Sequence, residues 1–113
     1  MSILILDEIV VKPGRLAEYR KAYRAQYVPG AERRGMTLEA AWQSPPGRDY
    51  DELAVTLYYL WSVPDVAGWW AQRMSKTPDG RDERFEKLAW WRESEPLTVS
   101  RKRSVLTDQP KEA

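Results

Sequence analysis

The first apolar run, ILILDEIVV (residues 3–11), is β-branched and aliphatic on both alternating faces and stops at Lys12-Pro13-Gly14, a turn signal. It predicts a strand buried on both sides. From Arg15 to about Gln26 the period changes. Leu16, Tyr19, Tyr23 and Tyr27 form one stripe of an amphipathic helix; Pro29-Gly30 is expected to end it or to start a new turn, and Gly35 to close the connection. MTLEAAWQS (36–44) reads as a second strand. PPGRDYDE (45–52) reads as a loop, because two prolines and a glycine cannot continue a ladder. LAVTLYYLWS (53–62) suits a pleated surface and predicts a third strand. Pro64-Asp65 opens a helix to about Lys76, which Thr77-Pro78-Asp79-Gly80 breaks. A further helix runs from Arg81 to about Ser94, with Phe85, Leu88 and Trp91 on its apolar side and Glu83, Glu86 and Lys87 on its wet side. Pro96 stops it, and LTVSRKRSVL (97–106) is the last strand.

The order β-α-β-β-α-β is the split βαβ, or ferredoxin-like, unit of the α+β class. Right-handed crossovers give a four-stranded antiparallel sheet in the order 4-1-3-2, with helices on one face. A sheet facing water on its other side would alternate apolar and polar residues, and the central strands do not. A second copy laid sheet against sheet is the simplest cover, so a homodimer is expected. Residues 1–107 read as one domain and 108–113 as a polar tail, with no repeat or linker between them.

Composition narrows the chemistry. The chain has 113 residues, no cysteine and no histidine. Disulfides, thiolate zinc sites, thiol nucleophiles and histidine-based acid–base catalysis are therefore excluded. No carboxylate cluster of the kind that holds calcium stands out, so no metal is expected. Haem is disfavoured because the histidine, cysteine and methionine-plus-histidine ligations are missing, which leaves tyrosine as a ligand the composition still offers. No cofactor is expected. A net charge of +1 gives no footprint for nucleic acid or an anionic membrane. The apolar start is too short for a signal peptide or a span, so the expected location is cytoplasmic.

Six tryptophans against one phenylalanine raise the question of what the rings do. They either build core and dimer interface or line a pocket for a flat apolar molecule. Trp61, in the third strand, belongs with them. On the helix after that strand, Val66, Trp70 and Met74 share a row, which makes Trp70 the better core candidate; Trp69 shares its row with Arg73 and Lys76 and suits a pocket mouth. Trp91 suits the buried side of the next helix, and Trp90 falls on the other side, needing a cover of its own. In the second strand Glu39 and Trp42 are expected on opposite faces, with Glu39 beside Thr37, Ala41 and Gln43.

Candidate catalytic groups are Asp7, Glu8, Tyr58 and Tyr59. Asp7 and Glu8 are adjacent in a central strand and so point to opposite faces. A carboxylate among Ile, Leu and Val either has its pKa raised into the range of a general base or is ion-paired, here with Arg101 or Arg103 in the last strand. Tyr58 or Tyr59 can donate to a developing oxyanion, or can be a core tyrosine bonded to backbone. Glu39, Trp42, Trp61, Trp69, Trp70, Trp91, Arg101 and Arg103 are the candidate ligand contacts.

The strand ending VVKPG before RLAEYRKAY, the Gly35 leading into the second strand, and LWSVPDVAGWWAQR after the third resemble the dimeric α+β barrel superfamily, and within it NIPSNAP-like proteins. The likeness covers about residues 3–106. It implies a homodimer with a pocket between sheet and helices in each subunit. The superfamily includes cofactor-free oxygenases, cyclases and isomerases. Several relatives carry a histidine near the third strand, where this chain has Tyr58 and Tyr59, so histidine chemistry does not transfer. The expectation is a cofactor-free enzyme for a small apolar or aromatic carbonyl or phenolic compound of secondary metabolism, using carboxylate and tyrosine. The alternative is a non-catalytic ligand-binding or dimeric interaction module.

Overall fold

The computed structural model describes residues 2–47 and 52–109. The middle of the loop expected over residues 45–52, and the tail from residue 110, lie outside the described residues. Four strands form one antiparallel sheet in the order β2-β3-β1-β4: β1 (Ile3–Val11), β2 (Thr37–Ser44), β3 (Val55–Val63) and β4 (Thr98–Leu106). This is the expected ferredoxin-like order. The thin dimension of the molecule is 18 Å, that of one helix layer on one sheet. No helix among the described residues is long and apolar enough to cross a membrane.

The two central strands alternate strictly. Odd-numbered residues of β1 and β3 are buried under the helices, and even-numbered ones are half-exposed on the open face. Ile5, Ile9, Val11, Val55, Trp61 and Val63 anchor the buried side, each aliphatic residue contributing about 1.5–3 kcal/mol as an upper bound. The register pairs Asp7 with Tyr59 and Arg103, and Glu8 with Tyr58 and Lys102. Asp7 thus lies among the helices, while Glu8 and Tyr58 face outward.

Each outer strand carries one extra residue relative to its central neighbour. In β2 the register shifts between Leu38 and Ala40, and in β4 it shifts opposite Val10 and Val11. The first shift corrects an expectation. Ser62, on the open face, donates to Glu39 at 2.8 Å, and Trp42 pairs with Tyr58 on that same face. Glu39 and Trp42 therefore share a face, because the bulge at Glu39 resets the alternation.

The first helical region does not end at Pro29. α1 (Leu16–Ala22) passes through a π-helical turn (Tyr23–Tyr27) into α2 (Val28–Arg33). The Val28 N–H reaches back five residues to the Tyr23 carbonyl. Pro29 lacks an N–H and would clash with the preceding turn of a regular helix; a widened turn just before it relieves both problems. The wider turn also keeps Leu16, Tyr19, Tyr23, Tyr27 and Ala31 all buried on one line. Gly35, at φ +88°, then turns the chain into β2, with its Cβ position 3.4 Å from Pro78.

α3 (Val66–Arg73) starts at Asp65, whose Oδ1 accepts from the Gly68 N–H at 2.7 Å. The chain then loops back to α4 (Arg84–Ser94), and Glu83 ties this loop to the end of α2. It accepts from Arg33 at 2.8 Å and, more weakly, from the buried Arg34 at 3.5 Å. The helix phases differ from expectation. Trp70 is 55% exposed, and it is Trp69 that packs on the core. On α4 Trp90 is buried, Leu88 is exposed, Phe85 is 86% exposed, and Glu83 and Lys87 turn inward. A row of apolar residues three apart marks the outer side of α4. Its inner side carries Lys87, Trp90 and Ser94 above the tyrosine stripe.

Candidate functional site

The aromatic residues divide between a packed cluster and a cavity. In the cluster, Tyr23 is the hub. Its ring stacks on Tyr59 at 3.9 Å and 10°, and its hydroxyl accepts from the Trp61 indole N–H at 2.9 Å. Tyr27, Trp90 and Tyr19 pack around it at centroid distances of 4.9, 5.9 and 6.0 Å. Burial raises the hydroxyl pKa of Tyr19 and Tyr23 far above the ordinary tyrosine range. Burial also pushes Tyr59 up to about 12, with Arg20 and Arg24 working in the other direction.

A cavity of about 650 Å³ opens between the β1–β4 side of the sheet and the pair α3–α4. Trp69 and Trp91 line it, together with Val105 and Leu88. Asp7 lies in its floor, bound by both sides of one guanidinium: Arg103 donates through Nε at 2.6 Å and through Nη2 at 2.9 Å. The same Nη2 donates to the Tyr27 hydroxyl at 2.9 Å. Arg101 lies over the Trp91 ring at 4.1 Å, with Arg103 at 5.9 Å from that ring. Lys87 reaches in from α4 and donates to the Gln72 backbone carbonyl at 3.4 Å. Its pKa is lowered to about 8, first by burial and then by Arg103, Arg34 and Arg73.

The candidate residues thus fall into separate places. Asp7, Trp69, Trp91, Arg101 and Arg103 meet at the large cavity. Tyr59 borders a smaller one, of about 150 Å³, near Arg20 and Arg24, and Trp42, paired with Tyr58 on the open-face register of β2, only edges it. Glu8, Tyr58 and Glu39 sit on the open face, Trp61 is in the core, and Trp70 is on the surface. Asp7 and Tyr59, neighbours in register, do not face one cavity; the tyrosine linked to Asp7 through Arg103 is Tyr27. Gln72, Arg73 and Lys87 also line the cavity and were not among the candidates. Arg73 shares the Trp69 row, which was the available signal. Lys87 looked solvated beside Glu86. Among the described residues no group of carboxylates is arranged to hold a metal.

The shifted groups set the pH response. The folded chain sheds the Lys87 proton near pH 8, whereas the unfolded chain keeps it to about 10.5, so this group favours folding increasingly between those values. The tyrosines act oppositely. Unfolded tyrosine ionises near pH 10 while the buried ones hold their protons, so stability falls as pH rises past about 10. Urea midpoints should climb slightly from pH 8 to 10 and then drop. Absorbance at 295 nm should show the buried tyrosines ionising together with unfolding rather than before it.

No protein-family model matches the chain, and no curated protein matches it in sequence. Solved structures do match in fold. A NIPSNAP-domain protein from Burkholderia xenovorans superposes with TM-score 0.67 at 15% identity, over 95% of this chain and 94% of that one. A NIPSNAP family protein from Agrobacterium tumefaciens gives 0.67 at 14%, over 96% and 94%. A putative antibiotic biosynthesis monooxygenase from Nitrosomonas europaea gives 0.59 at 16%, over 96% and 98%. The chain therefore has the ferredoxin-like α+β fold that NIPSNAP-domain proteins share with antibiotic-biosynthesis-monooxygenase-like proteins.

Proposed function

We propose that this is a small-molecule pocket protein that holds a flat aromatic compound between sheet and helices. The observation that carries it is the cavity of about 650 Å³ walled by Trp69 and Trp91. Its size falls within the roughly 300–1,000 Å³ of ligand sites, and its lining mixes two tryptophans and three aliphatic residues with seven polar or charged ones. The test is a calorimetric screen of planar phenols, aromatic carboxylates and polyketide-like compounds. Saturable binding that weakens in Trp91→Ala supports the reading. A folded protein that binds nothing in the library overturns it.

A second reading is the cofactor-free enzyme. Both Asp7 oxygens are taken up by Arg103. Lys87 is the better proton acceptor, since an amine with a pKa of about 8 in a tryptophan-lined cavity is poised for acid–base work near neutral pH. Turnover of a compound found in the screen, abolished in Lys87→Met and rising through pH 8, would establish it. Binding without turnover leaves the first reading.

The cover of the open face belongs to the same proposal. Leu4, Leu6 and Leu60 lie half-exposed there beside Tyr58, Trp42 and Leu106, next to only a few charged groups such as Glu8, Glu39 and Lys102. A second copy, sheet to sheet, is the occupant that fits. Sedimentation equilibrium should give a dimer for the wild type. Leu60→Asp, at the centre of that face, should give a folded monomer. A wild-type monomer at micromolar concentration would rule the dimer out.

A further inference from the structure

The charges around the large cavity are unbalanced. Arg73, Lys87, Arg101, Lys102 and Arg103 line it against a single acid, Asp7. The register opposite Glu8 places Lys102 on the other face of the sheet, which leaves four cationic side chains on the helix face. Only Arg103 has a carboxylate partner there. Its bonds to Asp7 and Tyr27 consume that carboxylate, since Arg103 donates to both Asp7 oxygens. Arg73, Lys87 and Arg101 make no ion pair among the described residues.

Their donors are also largely unspent. The one hydrogen bond of the Lys87 ammonium is the long one to the Gln72 carbonyl at 3.4 Å, out of the three it can donate. Arg101 lies over Trp91 at 4.1 Å, an arrangement that occupies the face of the guanidinium and leaves the N–H edge to a ligand. Lys87 is half-buried, while Arg73 and Arg101 are exposed at the cavity's edge. Cations gathered there without a carboxylate partner favour an anionic ligand.

We propose that the cavity takes a planar aromatic carboxylate, its ring between Trp69 and Trp91 and its carboxylate held by Lys87, Arg73 and Arg101. This rests on the pocket reading above and narrows it from flat aromatics in general to anionic ones. A carboxylate conjugated to a ring lies close to the ring plane, so one slot admits both. Its two oxygens match the fork of a guanidinium, and the bonds to it are charge-assisted. Asp7 does not repel it strongly, because Arg103 already neutralises that carboxylate.

Lys87 gives the proposal its pH signature. The charged groups acting on Lys87 are Arg103 from β4, Arg34 after α2, Arg73 from α3 and, with opposite sign, Asp7 from β1. An aromatic carboxylate is ionised throughout the neutral range. Lys87, its pKa lowered to about 8, loses its charge within the range the titration covers.

The test compares 2-naphthoate with the isosteric, uncharged 2-naphthamide by isothermal titration calorimetry at low salt. At pH 7 naphthoate should bind at least about tenfold more tightly, the scale of one charge-assisted hydrogen bond. The preference should shrink as pH rises from 7 to 9.5. Titrations at pH 8 in two buffers of different ionisation enthalpy should show proton uptake with naphthoate and none with naphthamide. Lys87→Met should remove most of the preference, weakening naphthoate far more than naphthamide. If that variant does not fold, Arg73→Gln, at an exposed position, should reduce the preference by several-fold. Equal affinity for the two compounds, or tighter binding of the amide, would overturn the anionic assignment while leaving the pocket standing. A folded wild type that binds neither would overturn both.

Discussion

Arg103→Met should cost about 3–5 kcal/mol of stability at neutral pH, because it leaves the Asp7 carboxylate buried with no counter-charge. The Asp7 side chain is 4% exposed and takes both of its hydrogen bonds from Arg103. A domain of this size loses about 4–8 °C in Tm per kcal/mol, so the variant should melt some tens of degrees lower. The double variant Asp7→Leu/Arg103→Met should recover much of the loss, since an apolar pair of similar volume avoids the desolvation of two ions. Urea denaturation of the two single variants and the double variant closes the cycle. If the double variant were as unstable as the single ones, Arg103 would matter through its bond to Tyr27 and its stacking on Trp91, not through Asp7.

Trp61→Ala should cost about 3–5 kcal/mol, the usual range for a large aromatic removed from a core. Trp61 has no exposed surface, and its ring meets Tyr27 edge-on at 5.9 Å. The milder Tyr23→Phe should still cost about 1–3 kcal/mol, because it leaves the Trp61 indole N–H buried without an acceptor. The two effects should not add, since both remove the same hydrogen bond. Thermal unfolding of both single variants and of the double variant measures the coupling. Additive losses would show that the hydroxyl contributes nothing through Trp61.

Much of the scaffold was legible because it depends on periods and punctuation. Turn residues at 12–14 and 77–80 separated the elements, and the β-α-β-β-α-β order with right-handed crossovers left a single strand order. The alternation of β1 and β3 was only half visible. Their open-face residues include Leu4, Leu6 and Leu60, so apolarity alone could not say which face was inside. Helix phase failed at the tryptophans for a related reason. Phe85, Leu88 and Trp91 make a clean apolar row, yet Phe85 and Leu88 are exposed while Trp91 walls the cavity. Lys87 and Glu83, charged and inward, are invisible to any pattern based on apolarity. Each is held by partners distant in sequence: Glu83 by Arg33 and Arg34, and Lys87 by the main chain of α3. Of the candidate site, the Asp7–Arg103 pair followed from strand adjacency, whereas the separation of Asp7 from Tyr59 depends on side-chain direction.

The two extra residues in the sheet have a consequence for how the protein behaves when crowded. Both lie in the border strands β2 and β4, and the central strands have none. A border strand offers a row of unpaired backbone groups to any passing chain, which is how sheets grow into fibrils. A bulge breaks the even spacing such growth needs. In β4 the basic run Arg101-Lys102-Arg103 adds mutual repulsion between neighbouring copies. Lateral extension of the sheet is thus discouraged at both margins. Concentrated solutions should therefore stay clear where a flat-edged sheet of the same composition would gel.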